Sequence, residues 1–159
     1  MRLDSPAVTD AEIYAEHATA LVRFATVLVG PNDAADVVSS AVLRVLSSPG
    51  WTSVTNQRSY LHQAVANEAR NFRRGETRRH DRETRVPTAS VSYPREVHPE
   101  VRAAVARLSV RQRATVYLAY WEDMTDHMIA DYLGISAGSV RRHLARARNH
   151  LRRALNEDR

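Results

Sequence analysis

The run from Thr125 to Arg153, TDHMIADYLGISAGSVRRHLARARNHLRR, constrains the fold more than any other stretch of the chain. It reads as two short helices joined by a tight turn, the second far more basic than the first. Thr125 is placed to cap the first helix, on which Ile129, Ala130 and Leu133 share one face. Gly134 supplies positive φ where that helix must stop, and Ile135 returns the chain to the core. Ser136 caps the second helix, whose inward stripe is Val140, Leu144, Ala147 and Leu151. Its outward face carries Ser139, Arg141, Arg142, Ala145, Arg146 and Asn149. This is the helix-turn-helix pattern, in which one helix braces on the DNA backbone and the next lies in the major groove.

An ordinary helical hairpin with a solvated basic face would share the charge. It would not require the small Ala130, the Gly134 turn and the Val140 anchor at this mutual spacing, and that combination favours DNA binding. The same run also spells G-x-S-x-G from Gly134 to Gly138, the nucleophile elbow of α/β hydrolases. That elbow needs a buried strand before the serine. A helical pattern stands there instead, so Ser136 is assigned as a cap.

Five glycines and the lack of alternating runs over 159 residues point to an all-α chain, of one domain or two small ones. There is no cysteine, hence no disulfide framework or thiolate metal site. The seven histidines show no ligand spacing and are expected at the surface or facing DNA. No cofactor, metal or catalytic group is expected. No apolar run approaches the ~20 residues of a membrane span, and the N-terminus lacks the layout of a signal peptide. A soluble intracellular protein is the expectation. Net charge is +5, and all 23 basic residues are Arg. Residues 1–69 hold four Arg against seven acids, residues 70–85 seven against three, and residues 100–159 eleven against seven. An acidic front followed by two basic zones suggests a protein partner and a nucleic-acid partner on different surfaces.

Thr9 and Glu12 form a capping box for a helix running to about Val29, with Tyr14, Leu21, Phe24, Ala25 and Leu28 on its apolar face. Gly30-Pro31 ends it. Asn32 is expected to cap a second helix, roughly Asp33 to Leu46, striped by Val37, Val38, Ala41, Val42 and Val45. Asp33 and Asp36 suit its first turn. Residues 47–56 are turn chemistry around Trp51, which either folds back over the core or serves a function. A third helix spans about Gln57 to Arg74 and becomes basic at its far end. Residues 75–98 lose periodicity and read as a mobile linker, with the possibility of helix at its start. Pro99 suits the first turn of a helix ending near Leu108. Ser109 and Gln112 form a second capping box, opening a helix to about Glu122 through TVYLAYW, which alone could pass for a strand.

From about Tyr14 to Leu155 the chain resembles the bacterial extracytoplasmic-function (ECF) sigma factors of RNA polymerase. LSVRQRATVYLAYWEDMTDHMIADYLGISAGSVRRHLARARNHLR is similar to the sigma domain that recognises the −35 promoter element. DAADVVSSAVLRVL and SYLHQAVANEARNFRR are similar to the domain that binds polymerase and melts the −10 element. The resemblance implies two small helical domains, 9–74 and 99–155, joined by the linker 75–98, and a non-catalytic cytoplasmic initiation factor.

Residue roles implied by the resemblance follow the motifs. The second helix, through Asp33, Asp36, Val37, Ser39, Ser40, Leu43 and Arg44, would dock on the β′ clamp helices of core polymerase. Relatives usually carry Gln-Glu or similar where this chain has Ser39-Ser40, which weakens the expected polar contacts. Trp51 would line the pocket for a base flipped out of the −10 element, with Asn67 and Asn71 reading exposed bases and Arg70, Arg73 and Arg74 holding phosphates. Ser139, Arg141, Arg142, His143 and Arg146 would contact the −35 element. Further partners implied are the β flap and, as in many relatives, an anti-sigma factor. The alternative is a helix-turn-helix regulator that binds duplex DNA without polymerase; such a protein has no use for single-strand readers.

Overall fold

Short-range capping chemistry sets most of the helix ends. The structure, a computed structural model, describes residues 9–80 and 98–157. Helix α1 is Asp10–Val29, opened by the Thr9 capping box and closed at Gly30, whose φ of 96° suits a glycine. Helix α2 is Ala34–Leu46. Asn32 does not cap it: residues 31–33 form a turn, and Asp33 takes the cap position with helical backbone and no side-chain bond. An extended cap residue is needed to bring its oxygen over the first amides, and φ −108°, ψ −11° does not do so.

After a single 3-10 turn at Trp51–Ser53, helix α3 runs from Gln57 to His80, six residues beyond the expected Arg74. Asn56 starts it, its Oδ1 accepting the Ser59 N–H at 3.0 Å. The rest of the expected tether, 81–97, lies outside the described residues. Helix α4, Pro99–Ala106, opens on its proline, and α5, Val110–Tyr120, on the Ser109–Gln112 capping box; both stop about two residues early. TVYLAYW falls mostly within α5, and no strand occurs among the described residues. Helices α6, Asp126–Leu133, and α7, Ala137–Glu157, complete the helix-turn-helix.

The N-terminal half packs Leu21, Phe24 and Leu28 of α1 with Val38 of α2 and Leu61 and Val65 of α3, all fully buried. The C-terminal half buries Leu118, Ile129 and Val140. These two groups are one continuous core. Arg113 of α5 crosses the seam at 4% exposure, donating from Nη1 to the Leu28 carbonyl at 2.8 Å and from Nε to that of Leu108 at 3.1 Å. A buried guanidinium is tolerated where acceptors surround it, and these two carbonyls supply part of that need. Ser59 Oγ donates to the Tyr132 carbonyl across the same seam at 3.0 Å.

His62 departs from the surface placement expected of the histidines, being 3% exposed. Its ring lies 5.2 Å from Phe24 and 5.1 Å from Tyr132, with Nδ1 2.8 Å from the Arg58 carbonyl. Burial pulls its pKa down to about 4, against the smaller opposing effect of that carbonyl. The ring is therefore neutral at pH 7 and acts as an aromatic of the seam.

Candidate nucleic-acid and polymerase interfaces

The recognition helix is fixed from behind. Met128 N–H donates to Thr125 Oγ1, starting α6, and Gly134 ends it in the left-handed region at φ 64°, ψ 38°. Ser136 then caps α7, its Oγ accepting the Ser139 N–H at 3.1 Å and donating to Ser139 Oγ at 2.9 Å. Val140, Leu144 and Ala147 are buried, which turns Arg141, Arg142, Ala145, Arg146 and Asn149 out to solvent. Three exposed guanidinium forks on a helix locked by its own core side suit bidentate contact with guanine edges and phosphates. Ser139 and His143 are half-buried, so they flank this face. Arg148, also exposed on α7, is tied to α5: its Nε donates to the Tyr120 hydroxyl at 2.9 Å.

Helix α2 offers a second surface. Asp36, Ser39, Ser40, Leu43 and Arg44 are exposed and Asp33 half-exposed, and Leu43 stands 67% open to water. Val37 does not belong to this surface. It is 2% exposed and packs inward with Val38 and Ala41, so it cannot touch a partner. Arg44 is already engaged, its Nη1 2.8 Å from Glu68 Oε2.

The expected single-strand readers divide between two places. Trp51 is 4% exposed, with Nε1 donating to Asp10 Oδ1 at 2.9 Å and its ring 6.3 Å from Tyr60. It folds back over the core, so it is a structural residue and not an open stacking platform. Asn67 lines a groove of about 350 Å³ between α2 and α3 with Arg44, Ser48, Tyr60 and Gln63. Asn71 is exposed one turn further on and does not line that groove. Arg70, Arg73 and Arg74 lie elsewhere, in a cleft shared with Arg111 of α5 and His143 of α7. Partial burial first, then the charges of Arg111, Arg146, Arg142 and Arg70, lowers the pKa of His143.

Comparison with known proteins identifies the family. Residues 98–151 match the family Sigma-70, region 4. The chain is 32% identical over 143 residues to the RNA polymerase sigma-E factor of Streptomyces avermitilis, covering 86% of this chain and 79% of that one. It is 31% identical over 155 residues to the ECF RNA polymerase sigma factor SigL of Mycobacterium tuberculosis, covering 91% and 88%. The chain belongs to the ECF RNA polymerase sigma factors. The same fold occurs in the sigma factor RpoE of Bartonella quintana, solved in complex with the anti-sigma factor NepR, at a TM-score of 0.69 over 94% of this chain and 98% of that one, with 23% identity.

Two features of this sigma factor escape a reading by sequence. Tyr60 scans as one more apolar position of α3, yet it is 37% exposed and opens onto the Asn67 groove. Arg111 scans as filler inside a capping box, and only the packing of α5 on α3 sets it among the arginines of the other half. Tyr120, Trp121 and Met128 are also left exposed on α5, its end and α6. No helix among the described residues is long and apolar enough to cross a membrane.

Proposed function

We propose that this chain is a promoter-specificity subunit of bacterial RNA polymerase of the ECF sigma type. It brings core polymerase to promoters by recognising a −35 and a −10 element and by holding the melted strand. The observation that carries this reading is the occurrence, in one sigma-family chain, of a helix-turn-helix whose second helix exposes three guanidiniums and of a helix α2 that leaves its apolar Leu43 in water. In this reading Arg141, Arg142 and Arg146 contact the −35 element, with Ser139 and His143 at the edge of that contact. The outward face of α2, from Asp33 and Asp36 through Ser39, Ser40, Leu43 and Arg44, docks on the β′ clamp helices.

For the −10 element, the groove between Tyr60 and Asn67 takes an extruded base, Tyr60 stacking and Asn67 bonding its edge. Asn71 reads a neighbouring base, and Arg70, Arg73 and Arg74 hold the strand's phosphates. The exposed Tyr120, Trp121 and Met128 offer the β flap an apolar patch. The subunit catalyses nothing itself and works in the cytoplasm with polymerase; an anti-sigma factor is a further partner of the expected class.

Reconstitution with core polymerase from a related GC-rich bacterium tests the reading. Co-elution and initiation from fragments sharing a −35/−10 pattern are expected. Duplex binding with no polymerase association would overturn it.

A further inference from the structure

Arg70, Arg73 and Arg74 of α3 face Arg111 of α5 and His143 of α7 across a cleft of about 380 Å³. Like charges gathered in a partly dry space raise the energy of the chain unless an anion joins them. Burial lowers the pKa of Arg70, and the charges of Arg111 and Arg74 lower it further. Arg73 spends only Nη1 on Glu76, at 3.5 Å; its Nε and Nη2 are sealed from water with no acceptor among the described residues. Arg70, Arg74 and Arg111 have no acidic partner among the described residues either. The segment 81–97, which joins the halves, holds three Arg and three acids and so brings no net negative charge.

Among the described residues only Glu76 answers this cluster, through Arg73, so the cleft carries an excess of positive charge that an anion would stabilise. The cleft volume lies in the range of small-ligand sites, about 300–1,000 Å³, and its walls come from both halves. Guanidinium forks pair bidentately with phosphoryl oxygens, and several forks around one small space suit several linked phosphoryl groups better than a single one. We propose that this cleft binds an oligophosphate, free or as the tail of a nucleotide, and that its occupancy clamps the two halves together. The inference stands on the packing of the halves and concerns the closed arrangement, in which these same arginines are withheld from the promoter phosphates assigned to them above.

Calorimetric titration of the full chain with inorganic tripolyphosphate tests it. One site per chain is expected, with orthophosphate about tenfold weaker or more, since fewer charged hydrogen bonds form. A nucleoside triphosphate binding more tightly than tripolyphosphate would identify a nucleotide as the ligand; equal affinity would identify the phosphate chain alone. Arg111→Gln should weaken tripolyphosphate about tenfold and abolish its upward shift of the thermal midpoint, while Arg152→Gln, on the exposed far part of α7, should change neither. Arg74→Gln repeats the test from the other wall should Arg111→Gln fold poorly. No saturable binding by the unaltered chain, or equal weakening by the cleft variants and Arg152→Gln, would overturn the proposal.

Discussion

His62 lies where a proton is costly, between Phe24 of α1 and Tyr132 of α6. An unfolded histidine takes its proton near pH 6.5, whereas His62 resists until about 4. Between these values the unfolded chain binds more protons, so stability falls as pH drops from about 6.5 to about 4 and then levels. The loss is on the order of 3 kcal/mol. Urea midpoints at pH 7 and pH 4.5 should differ less for His62→Gln than for the unaltered chain; equal differences would remove His62 as the cause. The burial of His62 was not legible in the sequence, because the Tyr132 that covers it comes from the other half. Val37 was set on the docking face by the resemblance, although its place in the same apolar stripe as Val38, Ala41 and Val45 already pointed inward, where the structure puts it. Trp51 lay between, since a loop tryptophan fits a core lid or a ligand platform equally well until the Asp10 carboxylate is seen beside it.

At the scale of elements, the turn between α6 and α7 tests how the recognition helix is aimed. Gly134 combines a φ of 64° with an approach that would put a Cβ 3.0 Å from Gln63 Oε1. Gly134→Ala should cost about 1–2 kcal/mol from backbone strain alone, read as a lower thermal midpoint. Helix α2 gives the opposite expectation. Leu43→Glu alters a side chain in water and should move stability by no more than about 0.5 kcal/mol, yet abolish co-elution with core polymerase. Unimpaired co-elution would take Leu43 off the docking face. Caps were the most readable part of these elements: Thr9 with Glu12, Ser109 with Gln112, Thr125 and Gly134 all act within four residues of themselves. Asn32 misled because a capping residue works only in extended backbone, and its proline-led turn delivers the next residue to the cap position in helical backbone.

For the whole molecule, the seam decides what the sigma factor can reach. Elements at −35 and −10 lie about 25 base pairs apart, roughly 85 Å of duplex at about 3.4 Å per step. Under the proposed roles, Arg70 serves the −10 element and His143 the edge of the −35 contact, and a cleft that holds them side by side cannot serve both. On that reading, engaging a complete promoter requires the halves to part, with loss of the Arg113–Leu28 and Ser59–Tyr132 bonds. Partners 85 and 73 positions apart along the chain leave no periodic trace, which is why the two halves were readable and their packing was not. The continuous core has a spectroscopic consequence. Of the two tryptophans, Trp51 is sealed in the N-terminal half and Trp121 is 64% exposed, so the blue part of the native emission belongs to Trp51. Its red shift in urea follows one half, whereas far-ultraviolet circular dichroism follows every helix. A shared core makes the two curves coincide at one midpoint; separate curves would mean that each half melts by itself.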